Sequence, residues 1–241
     1  MNLIIDVGNT RIKIAVFKKG KLIHSESITK ENIIIKAVEL INKFECDNAI
    51  ISSVAKIKKV QITKLHSIIN LIELTSETKI PFINKYSTPK TLGVDRVALA
   101  SAAVTLFPSK NVLVIDAGTC ITYDYVDMNC CYLGGAISPG ILMRYKSLNK
   151  FTENLPLLEP KYTNQFIGES TDSCIHSGVV KGTISEIDSF VNYYRKKNKD
   201  LTVVLTGGDT KFLANRLKNS IFANPIFLLE GLNAILTYNL Q

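Results

Sequence analysis

The sequence predicts an α/β protein of two similar halves, each a mixed sheet led by a three-stranded antiparallel meander with flanking helices. Two observations predict this class: an internal repeat, and a similar order of strand and helix patterns after each copy. The first copy, Leu-Ile-Ile-Asp-Val-Gly-Asn-Thr, starts at Leu3 and the second, Leu-Val-Ile-Asp-Ala-Gly-Thr, starts at Leu113, so Asp6 recurs as Asp116, 110 residues later. In both copies an apolar strand ends on Asp and turns through Gly to a Thr.

The first half is expected to span residues 1–108. Alternating apolar residues over 12–17 predict a half-buried strand, and Lys19-Gly20 predicts a tight turn into a third strand over 21–27. Pro108 stops the last helix of this half. Apolar periodicity predicts the remaining elements, a helix at 33–44, a strand at 49–54, and helices at 57–69 and 94–107.

The second half is expected to span residues 109–241, and its last helix is a candidate for packing back on the first half. Its meander continues from 122–126 to 131–137. The elements predicted after the meander are a helix at 173–197, a strand at 201–205, and helices at 209–217 and 228–238. A ligand is expected between the two halves.

The composition is that of a globular protein, since 46% of the 241 residues are hydrophobic and 21% are charged. The net charge of +8 fits either a basic face for an anionic partner or lysines on solvated helix faces. Scattered pairs such as Lys18-Lys19 and Lys58-Lys59 favour the second explanation, and no nucleic-acid partner is expected. No apolar run reaches membrane-spanning length and no basic segment precedes Asn2, so we expect a cytoplasmic protein with no membrane partner.

The five cysteines and three histidines show no metal or disulfide pattern. The odd cysteine count, without a Cys-x-x-Cys pair, argues against a disulfide framework and a zinc site. The sequence therefore predicts buried thiols in a reducing compartment.

The turn after Asp6 is the first candidate site. Gly8 lets backbone N–H groups approach a ligand, and the Asn9 and Thr10 side chains can donate hydrogen bonds to phosphate oxygens. Asp6 can hold a divalent cation. The same pattern occurs in ordinary hairpin turns, but its recurrence at Asp116 favours a pair of turns that bind a nucleotide. The chain has neither a G-x-x-x-x-G-K-[ST] loop nor a His-Arg-Asp catalytic loop, so a kinase would depend on these turns.

The second candidate site is Gly93-Val94-Asp95-Arg96, at the start of a predicted helix. The helix N-terminus and Arg96 both favour an ionised Asp95, which can accept a proton from a substrate hydroxyl. The alternative is a capping Asp beside a surface Arg. Tyr86 and Pro89 shortly precede this element and can line the same pocket.

Two glycine-rich turns complete the candidates. Thr206-Gly-Gly-Asp209 lies between a predicted strand and a predicted helix, and residues 134–140 join a strand to a helix with Pro139 in its first turn. Such glycines either admit a ligand close to the backbone or serve the fold alone.

Together and in this order, these elements resemble the type III pantothenate kinase family of the acetate and sugar kinase/Hsp70/actin superfamily. The resemblance covers nearly the whole chain and is carried by Asp6 to Thr10, Tyr86-x-x-Pro89, Gly93-x-Asp95-Arg96, Asp116 to Thr119, Gly134 to Gly140, Thr171 with Ser177-Gly178, and Thr206 to Asp209. It implies that both halves are actin-like (ribonuclease H-like). It also implies that ATP phosphorylates pantothenate, the first step of coenzyme A synthesis.

The resemblance further implies roles for single residues. Asp95 would be the general base, Asp116 would hold a potassium or ammonium ion, and Asp6 would hold magnesium. ATP would be bound by Asp6, Val7, Gly8, Asn9, Thr10, Arg11, Ile12, Lys13 and Thr119. Pantothenate would be bound by Tyr86, Gly93, Val94, Asp95, Arg96 and Thr171. A homodimer is expected, in which the partner subunit helps to close the pantothenate pocket.

Two other functions stay open at this point. Members of the family have been described as transcriptional accessory factors, but a regulatory protein has no chemical need for Asp6, Asp95, Arg96 and Asp116 together. A related kinase could also act on another small hydroxyl compound, and only the resemblance at Tyr86 and Gly93–Arg96 favours pantothenate.

Overall fold

The computed structural model describes residues 1–8, 11–55 and 57–241. The strands in this part of the chain are β1 (Asn2–Val7), β2 (Ile12–Lys18), β3 (Lys21–Ile28), β4 (Asn48–Ser53), β5 (Asn70–Glu73), β6 (Ile83–Asn84), β7 (Val112–Ala117), β8 (Cys120–Val126), β9 (Cys131–Pro139), β10 (Thr202–Thr206) and β11 (Phe222–Ala223). The helices are α1 (Ile33–Phe44), α2 (Lys59–His66), α3 (Val94–Leu106), α4 (Ile141–Lys150), α5 (Thr171–His176), α6 (Gly182–Lys197), α7 (Thr210–Leu213) and α8 (Phe227–Asn239).

The strands form two sheets, with the orders β3-β2-β1-β4-β5 and β11-β10-β7-β8-β9-β6. The chain divides into two compact units. Unit 1 comprises Met1–Ser109, Val126–Leu133 and Ile226–Gln241. Unit 2 comprises Lys110–Tyr125 and Gly134–Pro225.

The sheet of unit 1 starts with an antiparallel meander, in which β1 pairs with β2 and β2 pairs with β3. Lys19 and Gly20 have φ angles of 48° and 77°, the positive values that a two-residue hairpin turn requires. β1 also pairs in parallel with β4, which pairs in parallel with β5. Buried apolar side chains of β1, β2, β4 and α1 share one core, and this core fixes the end of β1 where Asp6 lies.

Helices α3 and α8 pack closely in unit 1 because small residues lie where they meet. The alanines of α3 between Ala98 and Ala103 are buried, and a Cβ atom at Gly231 of α8 would lie 1.9 Å from the Ala98 carbonyl oxygen. Asn2 Nδ2 donates a hydrogen bond of 2.9 Å to Asn233 Oδ1. The helix near the end of the sequence is therefore joined to the first strand.

In unit 2, β10 pairs in parallel with both β7 and β11. β7 is buried along its length except at Asp116, its penultimate residue, which is partly exposed. Helix α6 contributes Ile187 and Val191 to the same core as β7 and β10, and Phe190 stacks on Tyr123 with ring centroids 4.0 Å apart. This core fixes the strand ends that carry the second Asp-Gly turn and the Gly207-Gly208 pair.

The structure corrects several predicted helix boundaries. Residues 173–197 are not one regular helix, because a π-helical turn at Ser177–Lys181 separates α5 from α6. α5 starts at Thr171 rather than at residue 173, since Ser170 and Ser173 form a reciprocal capping box. Pro139 ends β9 and does not lie in the first turn of α4, whose N-cap is Gly140.

Other expectations fail at short or exposed elements. The helix expected at 209–217 is only four residues long and continues as a 3-10 turn at Ala214–Arg216. The short strands β5, β6 and β11 are not predicted from the sequence. Of the five thiols only Cys46 is buried, and Cys174 is exposed, so the expectation of buried thiols is wrong for four of them. None of the helices in the described ranges has the length and apolarity to cross a bilayer.

Candidate active site

The first Asp-Gly turn belongs to unit 1 and is closed by backbone geometry. Asp6 lies opposite Lys13 on β2 and opposite Ser52 on the parallel strand β4. The Gly8 N–H donates to the Arg11 carbonyl oxygen over 3.1 Å. Asn9 and Thr10, which the sequence assigns to nucleotide binding, lie outside the described residues.

The carboxylate of Asp6 is held by a buried hydroxyl. Ser52, which is 1% exposed, donates through Oγ to Asp6 Oδ1 over 2.9 Å. Burial raises the pKa of Asp6 to about 6, although the Ser52 hydrogen bond and the Lys13 ammonium act in the opposite direction. The negative charge of Asp95 raises the pKa of Asp6 further. At neutral pH Asp6 is mostly ionised and carries a charge that a cation would relieve.

The second candidate element is the start of α3, where Asp95 and Arg96 follow Gly93. Asp95 Oδ1 accepts a hydrogen bond of 2.8 Å from the Arg96 backbone N–H. A Cβ atom at Gly93 would lie 2.4 Å from this same Oδ1, so a larger residue there would displace the carboxylate. The close fit explains why Gly stands at the N-cap in place of a capping side chain.

Arg96 is not the surface residue that the alternative interpretation requires, because it is only 5% exposed. Its guanidinium carbon lies 5.6 Å from the centroid of the Tyr86 ring and 5.9 Å from that of Tyr132. Phe82 packs on Tyr132 with centroids 5.8 Å apart. An aromatic cluster thus restricts the orientation of the Arg96 guanidinium, and a cation held in this way suits an anionic substrate.

The second Asp-Gly turn belongs to unit 2 and is enclosed by backbone on two sides. The Gly140 N–H donates to the Thr119 carbonyl oxygen over 3.1 Å, and the Asp209 N–H donates to the Ala117 carbonyl oxygen over 2.9 Å. A Cβ atom would lie 2.0 Å from the Gly118 oxygen if placed at Gly140. Gly207, with φ of 96°, would place a Cβ atom 2.3 Å from Asp116 Oδ1. The two glycine turns singled out in the sequence therefore meet at this Asp-Gly turn.

The other predicted site residues differ in exposure. Val7 and Ile12 are buried in the sheet, Lys13 and Val94 are partly exposed, and Arg11 is exposed. Thr171 is exposed at the first residue of α5 and belongs to unit 2. The side chains of Val7 and Ile12 belong to the core of unit 1.

The part of the chain that the structure describes contains no group of three or more His, Cys, Asp or Glu side chains that could hold a metal ion. Asp6 and Asp116 are instead carboxylates at two strand ends. Each turn thus has a single carboxylate, which fits magnesium held chiefly by nucleotide phosphates, because Mg²⁺ commonly takes only one or two protein carboxylates. A carboxylate beside a backbone turn also suits a monovalent cation.

Sequence reasoning missed two residues that support the site. Ser52 is the penultimate residue of β4, after the apolar run 49–51, and a polar residue following such a run was the available signal. Tyr132 comes next to Arg96 through the pairing of β6 with β9, which places Asn84 opposite Tyr132. No local pattern indicates that pairing.

The positive charge is less evenly spread than the sequence suggests. A cavity of about 740 Å³ in unit 2 is lined by Lys181, Lys196, Arg216 and Lys218 together with aromatic rings. Tyr162 has the Lys181 ammonium 5.0 Å and the Arg216 guanidinium 4.5 Å from its ring centroid. Several cations are thus engaged with aromatic rings rather than free in solvent.

Comparison with known sequences gives matches along the whole chain. A family model described as type III pantothenate kinase matches residues 2–193. The type III pantothenate kinase of Flavobacterium johnsoniae is 46% identical over 242 residues, which cover 100% of this chain and 99% of the relative. That of Christiangramia forsetii is 49% identical over 240 residues, 99% of each chain.

Solved structures share the fold at low sequence identity. A conserved Baf family protein from Campylobacter jejuni has a TM-score of 0.63 at 23% identity, with 98% of each chain covered. A glucokinase of the ROK family from Streptomyces griseus, solved with glucose and AMPPNP, has a TM-score of 0.54 at 9% identity, again over 98% of each chain. The α/β class and the actin-like kinase fold expected from the sequence are confirmed.

Proposed function

This chain belongs to the type III pantothenate kinase family, and we infer that it transfers a phosphoryl group from ATP to pantothenate, the first step of coenzyme A synthesis. The observation that carries this function is similarity along the whole chain to relatives of that name, at 46% and 49% identity for the two relatives above. The aromatic cluster around Arg96 adds a physical reason, because pantothenate has a carboxylate that a fixed guanidinium can bind.

We propose that Asp95 is the general base. Its carboxylate is fixed by the Arg96 N–H, so it can accept the proton of the substrate hydroxyl in a constant orientation. Phosphoryl transfer depends on positioning and on charge neutralisation more than on covalent steps, which makes the orientation of this carboxylate important.

The Asp-Gly turns would bind the nucleotide. Residues 6–13 would bind the phosphates, with the Lys13 ammonium as one cation for them, and Thr119 would contact the same nucleotide. Asp6 would hold magnesium, and Asp116 would hold a potassium or ammonium ion. When bound, these cations offset phosphate charge.

Pantothenate would be bound by Tyr86, Gly93, Val94, Asp95 and Arg96, with Thr171 as a further contact. The Arg96 guanidinium is the proposed carboxylate ligand, because burial among the Tyr86 and Tyr132 rings restricts its orientation. Thr171 is exposed and its hydroxyl can donate to an acceptor on the ligand.

We further propose a homodimer in the cytoplasm. Residues 151–167 of unit 2 expose several large apolar side chains, with Phe151 at 79%, Phe166 at 74% and Ile167 at 83% exposure. Large apolar side chains that form a contiguous exposed patch mark interaction surfaces, and these three would belong to the subunit contact. Sedimentation equilibrium of the purified protein tests the proposal, and a monomer at micromolar concentration would exclude it.

A substrate panel tests the proposed activity. The purified protein is incubated with ATP, magnesium and potassium, and ADP release is compared for pantothenate, sugars and other hydroxy acids. We expect release with pantothenate and little with the sugars. If pantothenate causes no ADP release, pantothenate is not the substrate. If the rate is the same with sodium in place of potassium, Asp116 does not have the proposed role.

Replacement of the proposed base is the sharpest mutational test. Asp95→Asn keeps the size of the side chain and an oxygen acceptor for the Arg96 N–H, and we expect kcat to fall by about 10²- to 10⁴-fold with the fold intact. Asp200→Asn, at an exposed turn of unit 2, is the matched control and should retain full activity. A turnover rate of the Asp95 variant near the wild-type value would show that Asp95 is not the general base.

A further inference from the structure

A carboxylate outside the proposed site gathers three donors in unit 2. Glu186 of α6 accepts through Oε1 from Ser138 Oγ over 2.5 Å and from Tyr123 Oη over 2.9 Å. Its Oε2 accepts from Arg144 Nη2 over 2.6 Å. Burial alone would raise the pKa of Glu186, but the hydrogen bonds from Ser138, Arg144 and Tyr123 lower it overall, so the group is ionised at neutral pH.

Arg144 connects this carboxylate to the end of β9. Its Nε donates to the Pro139 carbonyl oxygen over 2.9 Å while its Nη2 binds Glu186. One guanidinium therefore joins α4, α6 and the last residues of β9. The side chains of Arg144 and Glu186 are 21% and 25% exposed, so solvent screens the pair only in part.

The residue after Pro139 contacts the second Asp-Gly turn directly. Gly140 donates its N–H to the Thr119 oxygen, and its Cα is so close to that turn that an added Cβ atom would lie 2.6 Å from the Thr119 oxygen. At such a distance, a shift of residues 138–140 must be accompanied by a shift of the turn.

We propose that Glu186 and Arg144 are positioning residues for nucleotide binding, which hold residues 138–140 and through them the Gly118-Thr119 turn. This inference rests on the proposed role of that turn in binding ATP. The two side chains do not touch the nucleotide; they fix the backbone that does. Displacement of phosphate-binding backbone by a fraction of an ångström weakens binding without unfolding the protein.

The test measures nucleotide affinity separately from catalysis. Binding of AMP-PNP with magnesium is measured by calorimetry without pantothenate for wild type, Arg144→Met and Glu186→Gln. We expect each variant to bind about tenfold more weakly, the size usual for loss of a residue that orients a ligand-binding group. Lys146→Met, at an exposed position on the same helix, is the control and should bind like wild type.

Arg144→Lys separates positioning from charge. It keeps a cation for Glu186 but cannot reproduce the two-armed contact with Glu186 and Pro139, so we expect an affinity between those of wild type and Arg144→Met. If Arg144→Met does not fold, the AMP-PNP affinity of Arg144→Lys still tests the proposal. The KM for ATP should rise in these variants while the KM for pantothenate changes less than about twofold, a split that general destabilisation does not produce.

The outcomes separate this inference from the proposed function. Unchanged AMP-PNP affinity in Arg144→Met and Glu186→Gln overturns the inference, as does an equal rise of both KM values with a lowered melting temperature. Wild-type binding of AMP-PNP without pantothenate phosphorylation overturns the proposed substrate and leaves the inference standing if the variants bind weakly. No nucleotide binding by wild type overturns both.

Discussion

The turns after Asp6 and Asp116 have nearly the same sequence pattern, yet their surroundings stabilise them differently. Both turns share one hydrogen bond, in which the residue after Asp accepts an N–H through its carbonyl oxygen. The Val54 N–H, just after β4, donates to the Val7 oxygen over 3.1 Å, and the Asp209 N–H, after β10, donates to the Ala117 oxygen over 2.9 Å. Beside the first turn a serine hydroxyl binds the carboxylate. Beside the second, Gly207 lies against the carboxylate and backbone fills the space.

The difference shows that two copies of one sequence motif can be stabilised in different ways. A hydroxyl and a lysine beside Asp6 leave its charge only partly compensated, and burial raises its pKa to about 6. At Asp116 the glycines allow backbone to approach where a side chain would collide. The first turn thus depends on side-chain electrostatics, and the second depends on backbone shape.

The largest expected effect comes from adding a methyl group beside the second turn. Gly207→Ala places a Cβ atom 2.3 Å from the Ala117 oxygen at a residue with φ of 96°. Backbone strain and overpacking together should cost about 3 kcal/mol or more of unfolding free energy. Urea denaturation measures the loss. Gly208→Ala, whose Cβ atom would have no neighbour within 4 Å, is the control and should cost less than about 1 kcal/mol. Equal losses would show that shape does not govern this turn.

At the first turn the corresponding test changes charge and should stabilise the metal-free protein. Because the pKa of Asp6 is about 6 when folded and 3.8 in the reference state, the folded protein loses stability as pH rises between those values. Asp6→Asn removes that penalty, so the variant should gain up to about 3 kcal/mol at pH 8 and close to nothing near pH 4, while kinase activity falls.

Thermal unfolding of wild type and Asp6→Asn at both pH values, with chelator present, gives the comparison. A variant that is less stable than wild type at pH 8 would show that Asp6 is not electrostatically strained. It would also remove the contrast drawn between the two turns.

The smallest effect on stability is expected from removal of the Ser52 hydroxyl. Ser52→Ala removes the hydrogen bond to Asp6 and should cost about 1–2 kcal/mol at pH 8, and less at pH 5, where Asp6 is mostly protonated. Ser101→Ala is the matched control, because Ser101 is fully buried and donates to the neutral Val97 carbonyl. Its cost should not change with pH. If the loss of unfolding free energy depends on pH in the same way for both variants, the bond from Ser52 to Asp6 is not charge-assisted.

Local sequence pattern predicted much of the fold. The helix expected at 33–44 is α1 to the residue, and the strands of both meanders lie close to their expected positions. Hydrophobic periodicity works there because each element buries one face against a core. It fails at 173–197, where the capping serines start the helix early and a π-turn changes its register without altering composition.

The residues proposed to carry the chemistry were singled out from the sequence alone, but the residues that support them depend on contacts between distant segments. Ser52 reaches Asp6 because β4 pairs in parallel with β1, a contact between residues 46 positions apart. Glu186 and Arg144 are 42 positions apart and belong to helices that look unremarkable in isolation. Such partners are specified by tertiary packing, which a single sequence does not reveal.

The packing of α8 on α3 has a consequence for synthesis of the protein. The alanine-rich surface of α3 is covered by a helix that the ribosome makes roughly 120 residues later, a delay of about 6 to 24 s at ordinary translation rates. Unit 1 cannot complete its core before then, whereas the segments of unit 2 are all translated earlier. A nascent chain stalled before Phe227 would expose apolar surface to chaperones and proteases.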